Sequence, residues 1–325
     1  MLFSFWIVFF YPASLLWILG CYIKRICVKK KHIGIPVISI GNLELGGTGK
    51  TPLTIETGKI LQELSIKTVI LSYAKNKKSI DEPIQIASAL SGVRVISGKH
   101  KRSLLSEIAR NNNDLIVIID DGFQYFDIKK KIDLVLINPE TPVKFLIPAG
   151  RMRFPFSFLR YADAVFVNET VPRTTNKYKK TINRIKEFRK PVFSINYVST
   201  HLVNIKGEKY PLSTVTNKRI LGICGIARPK GFINMIQKLN PESVYMAIYP
   251  DHFEYDEVDV LELQDIFTRL KFDIAITTEK DLAKLRRLKI KFPVQALSVK
   301  IDIDNSEFFR NWLIEKTQMI LDKNL

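Results

Sequence analysis

Cysteine is scarce: Cys21, Cys27 and Cys224 are the only three in 325 residues. Three thiols at those spacings exclude a disulfide scaffold and a cysteine-rich zinc site, and they suit a reducing compartment. Acidic residues are also few, with 32 Asp and Glu against 50 Lys and Arg and a formal net charge of +18. Such an excess points to an anionic partner, either nucleic acid, an anionic membrane surface or a phosphorylated substrate. The chain has no zinc finger, RNA-recognition signature or basic heptad helix, so only the charge favours nucleic acid, and none is expected as partner. Internal repeats and low-complexity tracts are absent. Hydrophobic residues make up 46% and charged residues 25%, which excludes whole-chain disorder. At about 150 residues per domain the length suits two domains.

Charge is missing altogether from Leu2 to Ile23, and Lys24, Arg25, Lys29, Lys30 and Lys31 follow at once. About 20 helical residues span the hydrocarbon core of a bilayer. A secretory signal would carry its positive charge first and end in a small-residue cleavage site. The segment therefore reads as a retained membrane helix, residues 1–25, with its basic flank and the following body in the cytoplasm. A buried core helix and a tilted interfacial helix, suggested by Tyr11, Pro12 and Ser14, are the competing readings.

Apolar, β-branched runs recur after that: Ile35–Ile40, Thr68–Leu71, Val93–Ile96, Leu115–Ile119, Leu134–Ile137 and Ala164–Val167. Segments long enough for helices separate them, such as Leu53–Leu64 and Lys101–Asn111. The alternation predicts an α/β fold with a mostly parallel, doubly wound sheet over residues 26–200. Lys177–Lys190 reads as a solvated helix face, and Pro191–His201 as extended. A second alternating series follows: Ile220–Cys224, a helix near Phe232–Leu239, Val244–Ile248, a helix near Asp256–Leu270, and Ile274–Thr277. It predicts a smaller α/β domain over residues 201–305, with a closing helix in 306–325.

The first strand leads into Gly41-Asn-Leu-Glu44-Leu45-Gly46-Gly47-Thr48-Gly49-Lys50-Thr51-Pro52. The Gly-Lys-Thr end matches the P-loop, in which glycines let successive N–H groups converge on phosphate oxygens. The helix that follows adds its positive N-terminal end. Glu44, Leu45, Gly46, Gly47, Thr48, Gly49, Lys50 and Thr51 are thus the candidate nucleotide-binding residues. Lys50 reaches for the β- and γ-phosphates and Thr51 for Mg²⁺. The departure is Glu44, which stands where the usual pattern has glycine. The competing reading is a glycine-rich turn with an accidental Lys-Thr.

Leu115–Ile119 runs into Asp120-Asp121-Gly122-Phe123-Gln124. An acidic residue ending an apolar strand is the second Mg²⁺ contact of a P-loop protein, so Asp120 and Asp121 join Thr51 as candidate metal residues. Taken alone, Asp-Asp-Gly reads equally as a turn. With the other motifs in order, the chain resembles the tetraacyldisaccharide 4′-kinase (lipid A 4′-kinase) family over nearly its whole length. The carriers are Gly41-Asn-Leu with Gly46–Pro52, Asp81-Glu-Pro83, Asp120–Gln124, Leu146–Gly150 with Arg153, Ala162-Asp-Ala164 with Val167-Asn168, Gly225–Pro229, Pro250-Asp-His252 and Thr278-Glu-Lys-Asp281.

The resemblance implies an ATP- and Mg²⁺-dependent kinase acting on the 4′-hydroxyl of a tetraacyldisaccharide 1-phosphate. Its product is lipid IVA, an intermediate of lipid A and lipopolysaccharide biosynthesis. The enzyme would work on the cytoplasmic face of the inner membrane, on a glycolipid and a lipid surface, with no obligatory protein partner. It implies a catalytic set of Asp81 as base, His252 as its orienting partner from the other domain, and Lys50 on the phosphates. Arg151 and Arg153 offer further positive charge for the anionic groups. Departures from the family pattern stand at Ser72–Lys75, Ile80, Tyr125 and Phe253. A membrane-attached P-loop NTPase acting as a conformational switch is the alternative. Asn217-Lys-Arg-Ile220 fails the last position of a guanine-reading Asn-Lys-x-Asp motif.

Overall fold

The computed structural model describes residues 2–46, 49–73, 81–111, 114–140, 145–251 and 253–322. The chain divides into two compact units, Met1–Asn196 with Asp302–Leu325, and Tyr197–Ile301.

The larger unit begins with helix α1 (Leu2–Cys27) and strand β1 (Val37–Asn42). Helix α2 (Lys50–Glu63), β2 (Thr68–Tyr73), α3 (Asp81–Ala89), β3 (Arg94–Gly98), α4 (Lys101–Asn111) and β4 (Ile116–Asp120) follow. Then come β5 (Ile132–Ile137), β6 (Ala164–Asn168), α5 (Asn176–Lys186) and the start of β7 (Val192–Asn204). The strand order is β7-β6-β5-β1-β4-β2-β3, and each of these pairings is parallel. Every residue of β1, β4, β5 and β6 is buried, as a sheet covered on both faces requires. That is why these strands are legible as unbroken apolar runs.

The chain passes from β4 on one side of β1 to β5 on the other. Ligands of open parallel sheets bind at the carboxyl ends of the strands at such a reversal. Phe166 and Phe193 stack at 5.1 Å on this sheet.

The smaller unit holds β8 (Lys209–Tyr210), β9 (Arg219–Cys224), α6 (Pro229–Gln237), β10 (Ser243–Ile248), α7 (Glu257–Arg269), β11 (Ile274–Thr278), α8 (Glu279–Leu285) and β12 (Val294–Ile303). Its parallel order is β10-β9-β11-β12, and β8 pairs antiparallel with the second half of β7. Asp256 and Asp259 form a reciprocal capping box at the start of α7. Leu221, Ile223, Leu263, Ala275 and Leu285 centre the core on one face of the sheet. Helix α9 (Ser306–Asp322) returns to the larger unit, where Phe309 packs edge-on against Phe166 at 5.1 Å and against Phe193 at 5.2 Å. Strand β12 and helix α8 carried no sequence expectation.

The expected membrane-spanning helix is corrected: among the described residues no helix is long and apolar enough to cross a membrane. One face of α1 lies on the larger unit instead. The buried Ser14 hydroxyl donates to the Leu146 carbonyl at 2.8 Å and accepts from the Ala149 N–H at 3.2 Å. Trp17 Nε1 donates to the Arg153 carbonyl at 2.7 Å, and Tyr22 shares a 2.5 Å hydrogen bond with Ser157. Arg25 lies over the Tyr161 ring at 4.2 Å. The helix thus meets protein through these hydrogen bonds and through Ile18, Cys21 and Tyr22, which pack on the larger unit's core, and its other face exposes Phe9, Leu15, Leu16, Leu19, Ile23 and Ile26.

Helix α5 corrects the solvated reading of Lys177–Lys190 in part. Its basic residues face water, but Tyr178, Thr181 and Ile185 are buried.

Candidate active site

The loop after β1 turns into α2 through Gly49, whose φ of +85° is left-handed and leaves the helix start without a side-chain cap. A residue with a Cβ is strained there, and an uncapped first turn keeps its N–H groups available for an anion. From behind, the segment Arg151–Phe154 holds the loop. Leu45 N–H donates to the Arg151 carbonyl at 2.8 Å and Arg153 N–H to the Leu43 carbonyl at 2.7 Å. Glu44, placed where glycine is usual, is buried and bridges to Met152 in this backing strand. Gly41 must be glycine because a Cβ there would meet the Phe123 Cβ at 2.4 Å. That contact brings the Asp120–Gln124 turn against the phosphate loop.

Lys50, the first residue of α2, lies 3.6 Å from Asp121. Arg153 lies 3.3 Å from the other oxygen of the same carboxylate. Asp121 itself sits at a φ of +53°. Burial pushes its pKa up, but Lys50, Arg153 and Lys101 outweigh burial and hold it below the usual carboxylate range. Arg151 donates to the Leu45 carbonyl at 3.2 Å, so the two arginines split between loop support and charge.

Asp120 ends β4 and is 2% exposed. Among the described residues it accepts two long hydrogen bonds, from Thr54 at 3.2 Å and from Ser72 at 3.4 Å. Burial, then the negative charge of Glu82, pushes its pKa up to about 6 against the pull of Lys101 and Lys50. Lys101, at the first position of α4, is as buried as Asp120 and donates to the Asp120 backbone carbonyl. Burial lowers its pKa more than the aspartates raise it. Lys130, also buried, donates to the Gly122 and Phe123 carbonyls at 3.3 Å each and pairs with Asp133 at 2.7 Å. Two buried ammonium groups therefore hold the backbone of the acidic turn.

The structure thus brings Lys50, Asp120 and Asp121 together. Thr51 is buried in the first turn of α2, one residue after Lys50. Gly47, Thr48 and His252 lie outside the described residues. Asp81 is placed by its backbone as the first residue of α3. Among the described residues no group of three or more His, Cys, Asp and Glu gathers as a metal cluster. Sequence reasoning missed Thr54, Ser72, Glu82 and Lys101. The i, i+3 spacing of Thr51 and Thr54 was the available signal for Thr54. Lys101 had none, since Lys99-His-Lys-Arg102 reads as a solvated basic run.

A phosphate loop after the central strand, its lysine facing an acid pair at the end of the adjacent strand, defines the class: a P-loop α/β phosphotransferase. A family model described as tetraacyldisaccharide-1-P 4′-kinase (LpxK) matches residues 6–318, and the chain belongs to that family of lipid A kinases. It is 28% identical over 295 residues to a tetraacyldisaccharide 4′-kinase of Desulfotalea psychrophila, covering 83% of this chain and 84% of that one. It is 27% identical over 299 residues to one of Halothermothrix orenii, covering 81% and 78%. A crystal structure of LpxK from Aquifex aeolicus in complex with ATP shares the fold, with TM-score 0.70, 24% identity, and coverage of 97% and 99%.

Proposed function

We propose that the protein transfers the γ-phosphate of ATP to the 4′-hydroxyl of a tetraacyldisaccharide 1-phosphate, forming lipid IVA. The observation that carries this reading is Lys50 at the head of α2, held 3.6 Å from Asp121. With nucleotide bound, the Lys50 ammonium serves the β- and γ-phosphates, and Arg153 shares the charge of Asp121. These fixed cations stabilise charge that grows on the transferred phosphoryl group, without reorganising as it does so.

The donor set fits Mg²⁺. Asp120 offers a buried carboxylate whose hydroxyl contacts among the described residues are long, and Thr51 a hydroxyl in the same helix turn as Lys50, both hard oxygen ligands. Bound there, the cation would neutralise phosphate charge. Asp81 is the proposed acceptor of the hydroxyl proton and His252 the group that orients it. These two roles rest on the family motifs Asp81-Glu-Pro83 and Pro250-Asp-His252.

The exposed apolar face of α1, with its basic sequel Lys29–Lys31, suits a helix lying in a membrane interface. We place the body on the cytoplasmic face of the inner membrane on that basis. Replacing Leu16 and Ile23 by Asp should move the protein from liposomes to the supernatant at high salt. Unchanged sedimentation would remove the interfacial reading.

Radiolabel from γ-labelled ATP should enter a chloroform-soluble product, and Lys50→Ala should abolish that transfer while far-UV circular dichroism stays unchanged. Hydrolysis of ATP with no labelled lipid would favour the switch-type NTPase.

A further inference from the structure

The sequence Pro250-Asp-His-Phe-Glu-Tyr255 lies in the smaller unit between β10 and α7. Two of its described residues are tied down from one short element, α8. Lys280 Nζ lies 3.2 Å from Asp251 Oδ1. One helical turn on, Lys284 Nζ donates to the Phe253 carbonyl at 2.7 Å. The two lysines are four apart, so they share one face of the helix, and their partners are the residues immediately before and after position 252. Lys284 is 5% exposed. A buried ammonium is costly unless it is paired and hydrogen-bonded, and beside this carbonyl it has the Glu254 carboxylate at 4.0 Å.

Between the lysines stands Asp281, fully buried. It accepts from the Gly225 N–H at 3.0 Å and from the Thr278 hydroxyl at 2.7 Å. Thr278 in turn caps α8 by accepting from the Asp281 N–H at 3.1 Å. Tyr255, at the far end of the loop, packs edge-on with Phe253 at 5.2 Å and with Tyr249 at 5.0 Å. A Cβ on Gly225 would meet the Pro250 carbonyl at 3.2 Å and the Phe253 Cβ at 3.3 Å. The start of the loop is thus pressed against the turn that Asp281 holds. A buried lysine and a buried aspartate thus hold a six-residue connection whose apolar side, Phe253 and Tyr255, packs into the core of the smaller unit.

We infer that α8 is the positioning element of the His252 loop, with Lys280 and Lys284 fixing the backbone on either side of position 252 and Asp281 fixing the helix to the turn at Gly225. Each of the three is argued to act through the loop that carries His252, so each is a positioning residue. The inference rests on the proposed role of His252 in proton transfer. Its consequence is that losing the clamp lowers the chemical step and leaves nucleotide affinity in place, because Lys50 and the phosphate loop belong to the other unit.

The test is a set of kinetic cycles on the full-length protein with saturating lipid in mixed micelles. Lys284→Met keeps the length of the side chain and removes its donors. It should lower kcat by about tenfold or more, as a small misplacement of a reacting group does, with KM for ATP within about twofold. Lys284→Arg should restore most of the loss. In a His252→Ala background, Lys284→Met should cost almost nothing further, since groups acting as one unit are not additive. An equal fractional loss in both backgrounds would overturn the inference, as would a rise in KM for ATP at constant kcat. Should Lys284→Met fail to fold, Lys280→Met, on the more exposed pair, carries the same cycle with a smaller loss. Normal kcat in His252→Ala overturns the base reading itself. A damaged His252→Ala beside an unaffected, folded Lys284→Met overturns only the clamp.

Discussion

Two aspartates, one in each unit, sit at or just past the end of a buried parallel strand, and both are shut away from water. Asp120 closes β4 at 2% exposure and Asp281 follows β11 at 0%. Their partners differ. Asp281 accepts a backbone N–H at 3.0 Å and a hydroxyl at 2.7 Å, and its neighbours are tied by the same bonds. Among the described residues Asp120 has two hydroxyls at 3.2 and 3.4 Å, a repelling Glu82, and lysines that do not bring its pKa down to the ordinary range. A buried carboxylate with short, directed donors is holding structure. One with long donors and excess negative charge destabilises the fold and suits a cation that arrives with the substrate.

The largest effects that could break this contrast are catalytic. Lys50→Ala and Asp120→Asn should each lower kcat by about 10²-fold or more, the scale of losing one fixed charge in a phosphoryl-transfer site. Asp281→Asn should cost kcat less than either. Initial rates of labelled lipid formation check all three, and equal losses at Asp120 and Asp281 would erase the distinction.

Stability should run the other way. In nucleotide-free, metal-free protein at pH 8, Asp120→Asn should raise the melting temperature. Charging a carboxyl whose pKa sits at about 6 instead of its ordinary value of 3.8 costs the fold on the order of 1–3 kcal/mol. Asp281→Ala should lower it by about 1–3 kcal/mol, because the Gly225 N–H and the Thr278 hydroxyl both lose Oδ2, the one oxygen that accepts from them. Thermal melts of the two variants beside the parent protein read the opposite signs.

The same shift sets a pH dependence. A raised carboxylate pKa means that the folded protein holds the proton more tightly than the unfolded chain. The folded state binds more protons between pH 4 and 6, so this group's contribution to stability is present below pH 4 and lost as pH rises through 6. Metal-free stability should therefore carry a falling component over that window that Asp120→Asn removes. An unchanged pH profile in Asp120→Asn would show that other groups carry it.

How much of this was legible in the sequence follows from the range of each interaction. The buried strands were legible because each is a local apolar run. The phosphate loop and the acid pair were legible because glycine and charge at a strand end are local signals too. Lys101 was not, since its run of basic residues looks solvated until β3 and β4 bring it under Asp120. Helix α1 misled for a similar reason. Its uncharged length is local, whereas the contacts of Ser14, Trp17 and Tyr22 are with residues 146–157, far along the chain. Helix α8 has seven residues, too short for a periodicity to declare itself, and its lysines acquire meaning only from Asp251 and Phe253.

The smallest expected effect separates the two sites most finely, because it removes a single hydroxyl from each. Thr278→Val deletes a 2.7 Å bond to Asp281 and the N-cap of α8 in one step. A lost cap costs about 1 kcal/mol and an unmet buried carboxylate bond adds to it, so a loss of about 1–3 kcal/mol is expected. Thr54→Val deletes only the 3.2 Å bond to Asp120, long for a hydroxyl donor, and should cost less than about 1 kcal/mol. Its effect should appear instead in the Mg²⁺ concentration that gives half-maximal rate, since the hydroxyl orients the proposed metal carboxylate. Thr278→Val should leave that concentration where it was. Denaturant melts and a Mg²⁺ titration at saturating ATP measure the pair. If Thr54→Val proves the more destabilising and leaves the Mg²⁺ dependence untouched, Asp120 is a structural carboxylate like Asp281, and the metal assignment at the end of β4 is wrong.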